Sequence, residues 1–196
     1  MIRSIVLCGL VLAGLPAVQA RADAQADVRQ AFGKVLSAGG FRGQVSGNVF
    51  GPGTPAVSGE IDALFPDRIH LQGEELEFIV TADGAWISAL GIWTPADRAL
   101  LPVTAFDMAS MRTAIASISG VRDEGRAKST SCENLRVYAF NASGQLPGTM
   151  ANGRMRLWVC QADGRPSRIE ASESPDQRVI IDFDWTHQPQ VVAPLG

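Results

Sequence analysis

The side chains best suited to acid–base or metal chemistry are few and scattered along the chain. There are two histidines, His70 and His187. His70 alternates with Arg68 and Gln72 on the polar side of a predicted strand, and His187 lies in a terminal loop beside Pro189. Both settings are typical of surface histidines rather than of a general base or a metal ligand.

The acidic side chains recur in short groups, and paired carboxylates can carry out acid–base catalysis. Glu74, Glu75 and Glu77 form an acidic run that is typical of a solvated hairpin edge. Asp182 and Asp184 alternate with apolar neighbours, as the polar face of a strand does. Because the sequence also lacks the G-x-S-x-G, phosphate-loop and H-E-x-x-H motifs, we expect no enzymatic activity, no cofactor and no metal.

The first twenty residues have the three regions of a cleavable secretory signal peptide. Arg3 supplies the positive start, residues 5–15 form a short apolar core, and Pro16 is expected to end its helix. Ala20 suits cleavage, and residues 22–24 offer a second candidate site. The apolar core is shorter than the ~20 residues that span a bilayer, and an uncleaved anchor is the alternative. We therefore predict removal of these twenty residues and a mature protein in the periplasm.

Three cysteines are present, and the export prediction decides how each is interpreted. Cys8 lies inside the signal peptide after Leu7, whereas a lipidated cysteine follows a small residue, so we expect no lipid anchor. Cys132 and Cys160 then remain as an even pair, which favours a disulfide; two free buried thiols are the alternative. In the predicted antiparallel strand pair these two cysteines face each other, with Cα atoms about 4.5 Å apart. A metal site is less favoured, since only the two histidines could complete it.

Composition and charge indicate a single folded domain over residues 21–196. Of the 196 residues, 46% are hydrophobic and 19% are charged, which is typical of a globular chain. The formal net charge is −3, and loss of Arg3 with the signal peptide makes it one unit more negative. An acidic domain lacks the basic surface that nucleic acid or anionic lipid requires, so we expect no nucleic-acid partner. We also expect a monomer.

Two segments have the spacing of amphipathic helices. The first has an apolar stripe formed by Val28, Ala31, Phe32, Val35 and Leu36. Its predicted N-cap is Asp23, and Gly39 and Gly40 are predicted to end it. The second has an apolar stripe formed by Met108, Met111, Ile115 and Ile118. Its predicted N-cap is Asp107 and its predicted end is Gly120.

The remaining segments alternate apolar and polar residues, which indicates strands with one buried face. The predicted strands are 41–49, 57–65, 68–72, 76–81, 85–89, one starting near 121, 131–140, 154–161, 167–173, 178–184 and a short one at 191–192. The order is helix, strands, helix and strands, which predicts an α+β fold. We expect a long curved antiparallel sheet, a half-barrel, with the helices covering its concave face.

Short motifs along the mature chain carry a resemblance to a known family. They are an opening helix followed by 41–44, strand segments at 58–61 and 65–69, a turn at 83–86, a hairpin at 157–159 and 163–170, and closing segments at 181–184 and 191–194. In this order the chain resembles the LolA/LolB fold family of bacterial lipoprotein carriers. The mycobacterial lipid carriers of the LppX/LprG type and one domain of the periplasmic stress regulator RseB share that fold. Cys132 and Cys160 depart from the lipoprotein carrier pattern.

The resemblance implies a LolA-like apolar cavity for acyl chains between the helices and the sheet. The candidate lining residues are apolar side chains: Trp86, Trp93, Met108, Met111 and Ile115. We therefore expect a periplasmic carrier of lipid or acyl chains, lipoproteins among them, with membrane donor and acceptor proteins as partners. The alternative is a periplasmic sensor or protein-interaction module of the RseB type.

Overall fold

The structure is a computed structural model that describes residues 15–48, 56–74, 76–101, 107–144, 146, 153–174 and 177–194. Within these residues the helices are α1 (Leu15–Ser37) and α2 (Met108–Ser117), and a single 3-10 turn covers Arg98–Leu100. The strands are β1 (Gly40–Gly47), β2 (Val57–Leu64), β3 (Arg68–Gly73), β4 (Glu77–Thr81), β5 (Gly84–Ala89), β6 (Ile92–Pro95), β7 (Ser119–Ala127), β8 (Leu135–Asn141), β9 (Arg154–Cys160), β10 (Pro166–Ser174) and β11 (Gln177–Asp184).

The strands form one antiparallel sheet in the order β6-β5-β4-β3-β2-β1-β11-β10-β9-β8-β7. Two meanders, β1 to β6 and β7 to β11, join where β1 pairs with β11 and Val45 lies opposite Ile181. The edges are β6 and β7, and α2 lies in the connection between them. The sheet is therefore open, and the predicted α+β class with one long antiparallel sheet is confirmed.

The central pairing of β1 with β11 depends on a glycine. A Cβ atom at Gly43 would lie 2.3 Å from the carbonyl oxygen of Asp182, a distance that real Cβ contacts do not reach. Only glycine therefore lets the two backbones approach so closely at this point.

Successive side chains of each strand point to opposite sides of the sheet. The sheet therefore has an inner face, on which the helices pack, and an outer face. Residues that follow one another across the middle of the inner face, one from each of the strands β1 to β4 and β8 to β11, are each at most 2% exposed: Phe78, Leu71, Ile61, Val45, Ile181, Ile169, Leu157 and Tyr138. These side chains form one cluster with buried residues of α1 and α2. The core therefore lies between the inner face and the two helices.

The helix ends differ from the prediction in two places. The described part of α1 begins at Leu15, so Asp23 lies inside the helix and is not its N-cap. The predicted helix of the signal peptide, which Pro16 is expected to end, lies outside the described residues. Gly39, at φ 74°, follows the end of α1 as predicted. α2 stops at Ser117, before Gly120, because β7 already begins at Ser119.

The strands also differ from the prediction in three places. β6 was not among the predicted strands. Pro95 ends this strand, and proline is tolerated there because β6 lies at an edge of the sheet. β8 begins at Leu135 rather than at residue 131, because the backbone bends back where the Ser129 amide donates to the Cys132 carbonyl at 3.0 Å. Residues 191–192 form no strand, although Val191 is buried.

Candidate functional site

α1 is attached to the inner face by an apolar stripe and a hydrogen bond. Val28 and Phe32 are at most 1% exposed, and the Phe32 ring meets Phe140 edge-on with centroids 6.0 Å apart. The Tyr138 hydroxyl donates to the Asp27 carboxylate at 2.6 Å. Burial, followed by this hydrogen bond, raises the pKa of Tyr138 above its ordinary value. These contacts make α1 a fixed wall of the site.

α2 covers another part of the same core with one buried side. Met111 and Ala114 are buried, and Ile115 is half-buried against the core. The Asp107 carboxylate accepts the Ser110 amide at 2.8 Å, which caps the helix as predicted and lowers the pKa of Asp107. Because α2 has only 10 residues, apolar burial anchors it less firmly than it anchors α1.

Side chains of α1 hold the C-terminal end of α2, and we call this pair, Gln25 and Arg29, the latch. Gln25 Nε2 donates to the Ile118 carbonyl at 2.7 Å. Arg29 donates to the carbonyls of Ala116 at 3.0 Å and Ile118 at 3.3 Å. These carbonyls have no hydrogen-bond partner within the helix, so the latch supplies their donors. The positive charge of Arg29 also interacts favourably with the negative end of the helix dipole. No sequence pattern identified these two residues.

A serine contact adds to the latch at the same end of α2. Ser117 Oγ donates to the Ser143 carbonyl at 3.0 Å and accepts the Ser143 amide at 2.9 Å. Over the described part of the chain, every polar contact between α2 and other elements lies at or just beyond its last turn. Within the described residues, the polar attachment of α2 is thus at its C-terminal end.

The structure separates the five predicted lining residues into two groups. Met108, Met111 and Ile115 lie on α2; Met111 is 1% exposed and the other two are half-buried. On β5, Ile87 packs against the core, so Trp86 beside it points to the outer face. Trp93 pairs with Ser88, two residues from Trp86, and shares that outer face. The two tryptophans therefore do not lie on the face that α2 covers.

The outer face is largely polar and carries ion pairs. His70 Nε2 lies 2.7 Å from a Glu77 carboxylate oxygen, so the histidine predicted at the surface is half-buried beside an acid. Asp62 is buried next to Arg42 and accepts the backbone amide of Gln190, which places the C-terminal segment over β2. Burial raises the pKa of Asp62, although Arg42 opposes this shift. Around β2 and β3 the outer face therefore presents charged side chains.

Polar side chains among the described residues line cavities that contain no residue of α2. One, of about 420 Å³, is lined by Lys128, Ser129, Thr130, Ser131, Leu135, Trp158, Ser167, Arg168, Asp182 and Phe183. The Arg168 guanidinium already pairs with Asp182 at 2.5 and 2.8 Å in this cavity. Another, of about 400 Å³, is lined by Lys34, Ser37, Ala38, Asp163 and Arg165. Neither cavity is lined by any of the five predicted residues.

Cys132 and Cys160 form a disulfide, as predicted, with their Cα atoms 6.0 Å apart. The predicted register is wrong, because Leu135 and not Cys132 lies opposite Cys160. Cys132 precedes β8 in the bent segment, which explains why the Cα separation exceeds the expected 4.5 Å. The bond therefore ties a loop beside the larger cavity to the end of β9.

The described residues contain no helix long and apolar enough to cross a membrane. They also contain no group of three or more histidine, cysteine, aspartate or glutamate side chains placed to hold a metal ion.

The fold has counterparts among solved structures. The lipoprotein LppX of Mycobacterium tuberculosis superposes with a TM-score of 0.59 at 12% identity, over 87% of this chain and 99% of LppX. LprF of Mycobacterium bovis superposes with a TM-score of 0.62 at 13% identity, over 89% of this chain and 98% of LprF. No protein-family model and no curated protein matches the sequence. The chain therefore has the fold of these two mycobacterial proteins, and the predicted LolA-like architecture is confirmed.

Proposed function

We propose that this protein is a periplasmic carrier that binds lipid or acyl chains between α2 and the inner face of the sheet. The observation that carries the proposal is the attachment of α2. Its one buried side covers the apolar core, while its polar contacts with other described elements lie only at the C-terminal end. The helix can therefore lift at its N-terminal end while the latch holds the other.

Lifting of α2 would open the space that Met111 fills in the closed structure. Met111 is 1% exposed, and Ala114 on the same helix is fully buried and belongs to the core cluster. A methionine adapts its shape to different apolar neighbours, so it can line a site for chains of varied length. Each methylene of a bound chain would gain about 0.8 kcal/mol from burial. Met108 and Ile115, half-buried on the same helix, complete the proposed lining.

The wider setting is also part of the proposal. Residues 1–20 act as a signal peptide, residues 21–196 form the mature domain, and the protein works as a monomer without a lipid anchor. Membrane proteins deliver and receive its cargo. The likeness to LppX and LprF supports the fold, and the resemblance to lipid carriers noted in the sequence supports the class of ligand. Binding needs no covalent step, so the protein is not an enzyme.

The filled interior supports a second candidate, a sensor of the RseB type. In this structure Phe32, Phe41 and Met111 are each at most 1% exposed, so the interior beneath the helices is filled. A sensor would keep this interior closed and would respond to a ligand or a partner protein by moving α2. Lipid that remains bound to protein purified from its own periplasm supports the carrier, and native mass spectrometry detects it.

A titration with cis-parinaric acid, a fluorescent fatty acid, tests the proposed site directly. We expect saturable binding to the mature wild type and at least tenfold weaker binding to Met111→Asp. Thr113→Asp is the matched control, because Thr113 is exposed on the same helix. Thermal unfolding shows whether each variant is folded. No saturable binding by the folded wild type contradicts the carrier, and equal loss in both variants contradicts the placement of the site.

A further inference from the structure

The hairpin formed by β5 and β6 has no charged residue. The sequence from Gly84 to Ala96 contains no aspartate, glutamate, lysine, arginine or histidine, although Asp83 and Asp97 flank it directly. β6 is an edge of the sheet, and the tip extends past Glu77, the first residue of the neighbouring strand β4. The hairpin therefore ends in an uncharged projection at one edge of the molecule.

The tip of this hairpin exposes two large aliphatic side chains. Leu90 is 102% exposed and Ile92 is 70% exposed, so neither side chain is stabilised by packing. Leu90 and Gly91 form the two-residue turn at positive φ angles of 55° and 79°. Such turns favour asparagine followed by glycine, and leucine in this conformation is disfavoured. Neither local geometry nor solubility accounts for leucine at this position, which points to a role in contact with another molecule.

Tryptophan side chains lie behind the exposed tip. Trp93 follows Ile92 directly, and Trp93 and Trp86 are half-buried on the outer face of the same hairpin. Indole rings concentrate at the interface between lipid headgroups and acyl chains, where an apolar body and a polar N–H group are both accommodated. The hairpin thus has aliphatic side chains at its tip and indole rings behind them. This arrangement matches a membrane surface, where the aliphatic groups would meet acyl chains and the indole rings would lie among the headgroups.

The size of the exposed group favours a lipid surface over a protein partner. A specific protein interface buries about 800 Å² on each partner, far more than two aliphatic side chains supply. Insertion of a few apolar groups into a bilayer has no such minimum, because each group partitions separately. The absence of charge on the hairpin, within a chain of net charge −3, favours a membrane surface that is electrically neutral.

We propose that the hairpin tip, Leu90 and Ile92, inserts into the surface of a zwitterionic lipid bilayer, with Trp93 at headgroup depth. This inference extends the proposed carrier function, because a carrier that extracts lipid has to approach a membrane. Insertion at the sheet edge brings the protein to the bilayer without a membrane-spanning segment. The contact is reversible, since two side chains bury little apolar area.

Sedimentation with phosphatidylcholine vesicles tests this contact on the mature protein. Leu90→Asn creates the preferred Asn-Gly turn, so we expect an intact fold and vesicle partitioning reduced about tenfold. Adding Ile92→Thr should reduce partitioning about a hundredfold in total. The matched control is Val192→Asn, which removes a side chain that is 73% exposed outside the hairpin. Its partitioning should equal that of the wild type.

Fluorescence quenching by brominated phosphatidylcholine locates the inserted part. We expect quenching in the wild type, less quenching in Trp93→Phe, and unchanged quenching in Trp158→Phe, because Trp158 lies on the distant strand β9. Quenching that disappears only in Trp158→Phe would overturn the proposal. Binding that requires anionic lipid and falls with added salt would overturn it as well, because that dependence indicates a basic surface.

Uptake of cis-parinaric acid without vesicles separates this proposal from the carrier function. Leu90→Asn should bind the free fatty acid as the wild type does and should extract it from vesicles more slowly. A wild type that binds the fatty acid but does not sediment with vesicles overturns membrane insertion and leaves the carrier standing. A wild type that sediments with vesicles but binds no fatty acid supports insertion and removes the carrier.

Discussion

Replacing Gln25 and Arg29 with alanine should release the C-terminal end of α2 while leaving the sheet intact. Gln25 makes one hydrogen bond to the Ile118 carbonyl, and Arg29 contacts the carbonyls of Ala116 and Ile118. An intramolecular hydrogen bond contributes about 1 kcal/mol, and the exposed position of Arg29 limits what its charge adds. The double variant should therefore favour opening of α2 by about 2 kcal/mol, which corresponds to about 30-fold in the opening equilibrium.

Amide hydrogen exchange followed by mass spectrometry measures this opening. We expect exchange in the α2 peptide to become about 30-fold faster, while exchange in the central strands β1 and β11 stays the same. Lys34→Ala is the matched control, because Lys34 also lies on α1 but donates to the Asp163 carbonyl, far from α2. Unchanged exchange in α2, or an equal increase throughout the protein, would refute the reasoning that the latch holds this helix locally.

Three further predictions concern stability and maturation. Replacing Cys132 and Cys160 with serine should lower the free energy of unfolding by about 3.5 kcal/mol, given their separation of 28 residues, and denaturant titration measures the loss. Tyr138→Phe should cost about 1 kcal/mol at neutral pH through the lost bond to Asp27. Because folding raises the pKa of Tyr138, the wild type should lose stability as pH rises above about 10, and melting curves should show a smaller loss in the variant. N-terminal sequencing should find Arg21 first; an intact chain in the membrane fraction would contradict cleavage.

The meander from β1 to β5 could be predicted to within about two residues because polar and apolar residues alternate along it. The N-cap at Asp107 could also be predicted, since an aspartate precedes an apolar helical stripe. β6 could not be predicted in the same way, because Pro95 is typical of a loop unless the strand is known to lie at an edge. Edge position is a property of the whole sheet and leaves no local signal.

The candidate site was predicted less well than the fold, and side-chain size explains part of the difference. On β5 the residues that face the core are Ala85 and Ile87, whereas the larger Trp86 faces outward. Size and hydrophobicity alone therefore do not show on which side of the sheet the tryptophan lies. The latch was missed for another reason: Gln25 and Arg29 lie far from α2 in sequence, and their contacts arise only when the two helices pack together.

The pairing of β1 with β11 has a consequence for the order in which the protein can assemble. Gly43 of β1 lies beside Phe183 of β11, so the middle of the sheet joins the two ends of the domain. A chain that emerges from its N-terminus can form β1 to β6 early, but one edge of β1 keeps unpaired amide and carbonyl groups until β11 arrives. Contacts of such long sequence separation form slowly. The central pairing of the sheet can therefore form only when nearly the whole described chain, from β1 through β11, is available.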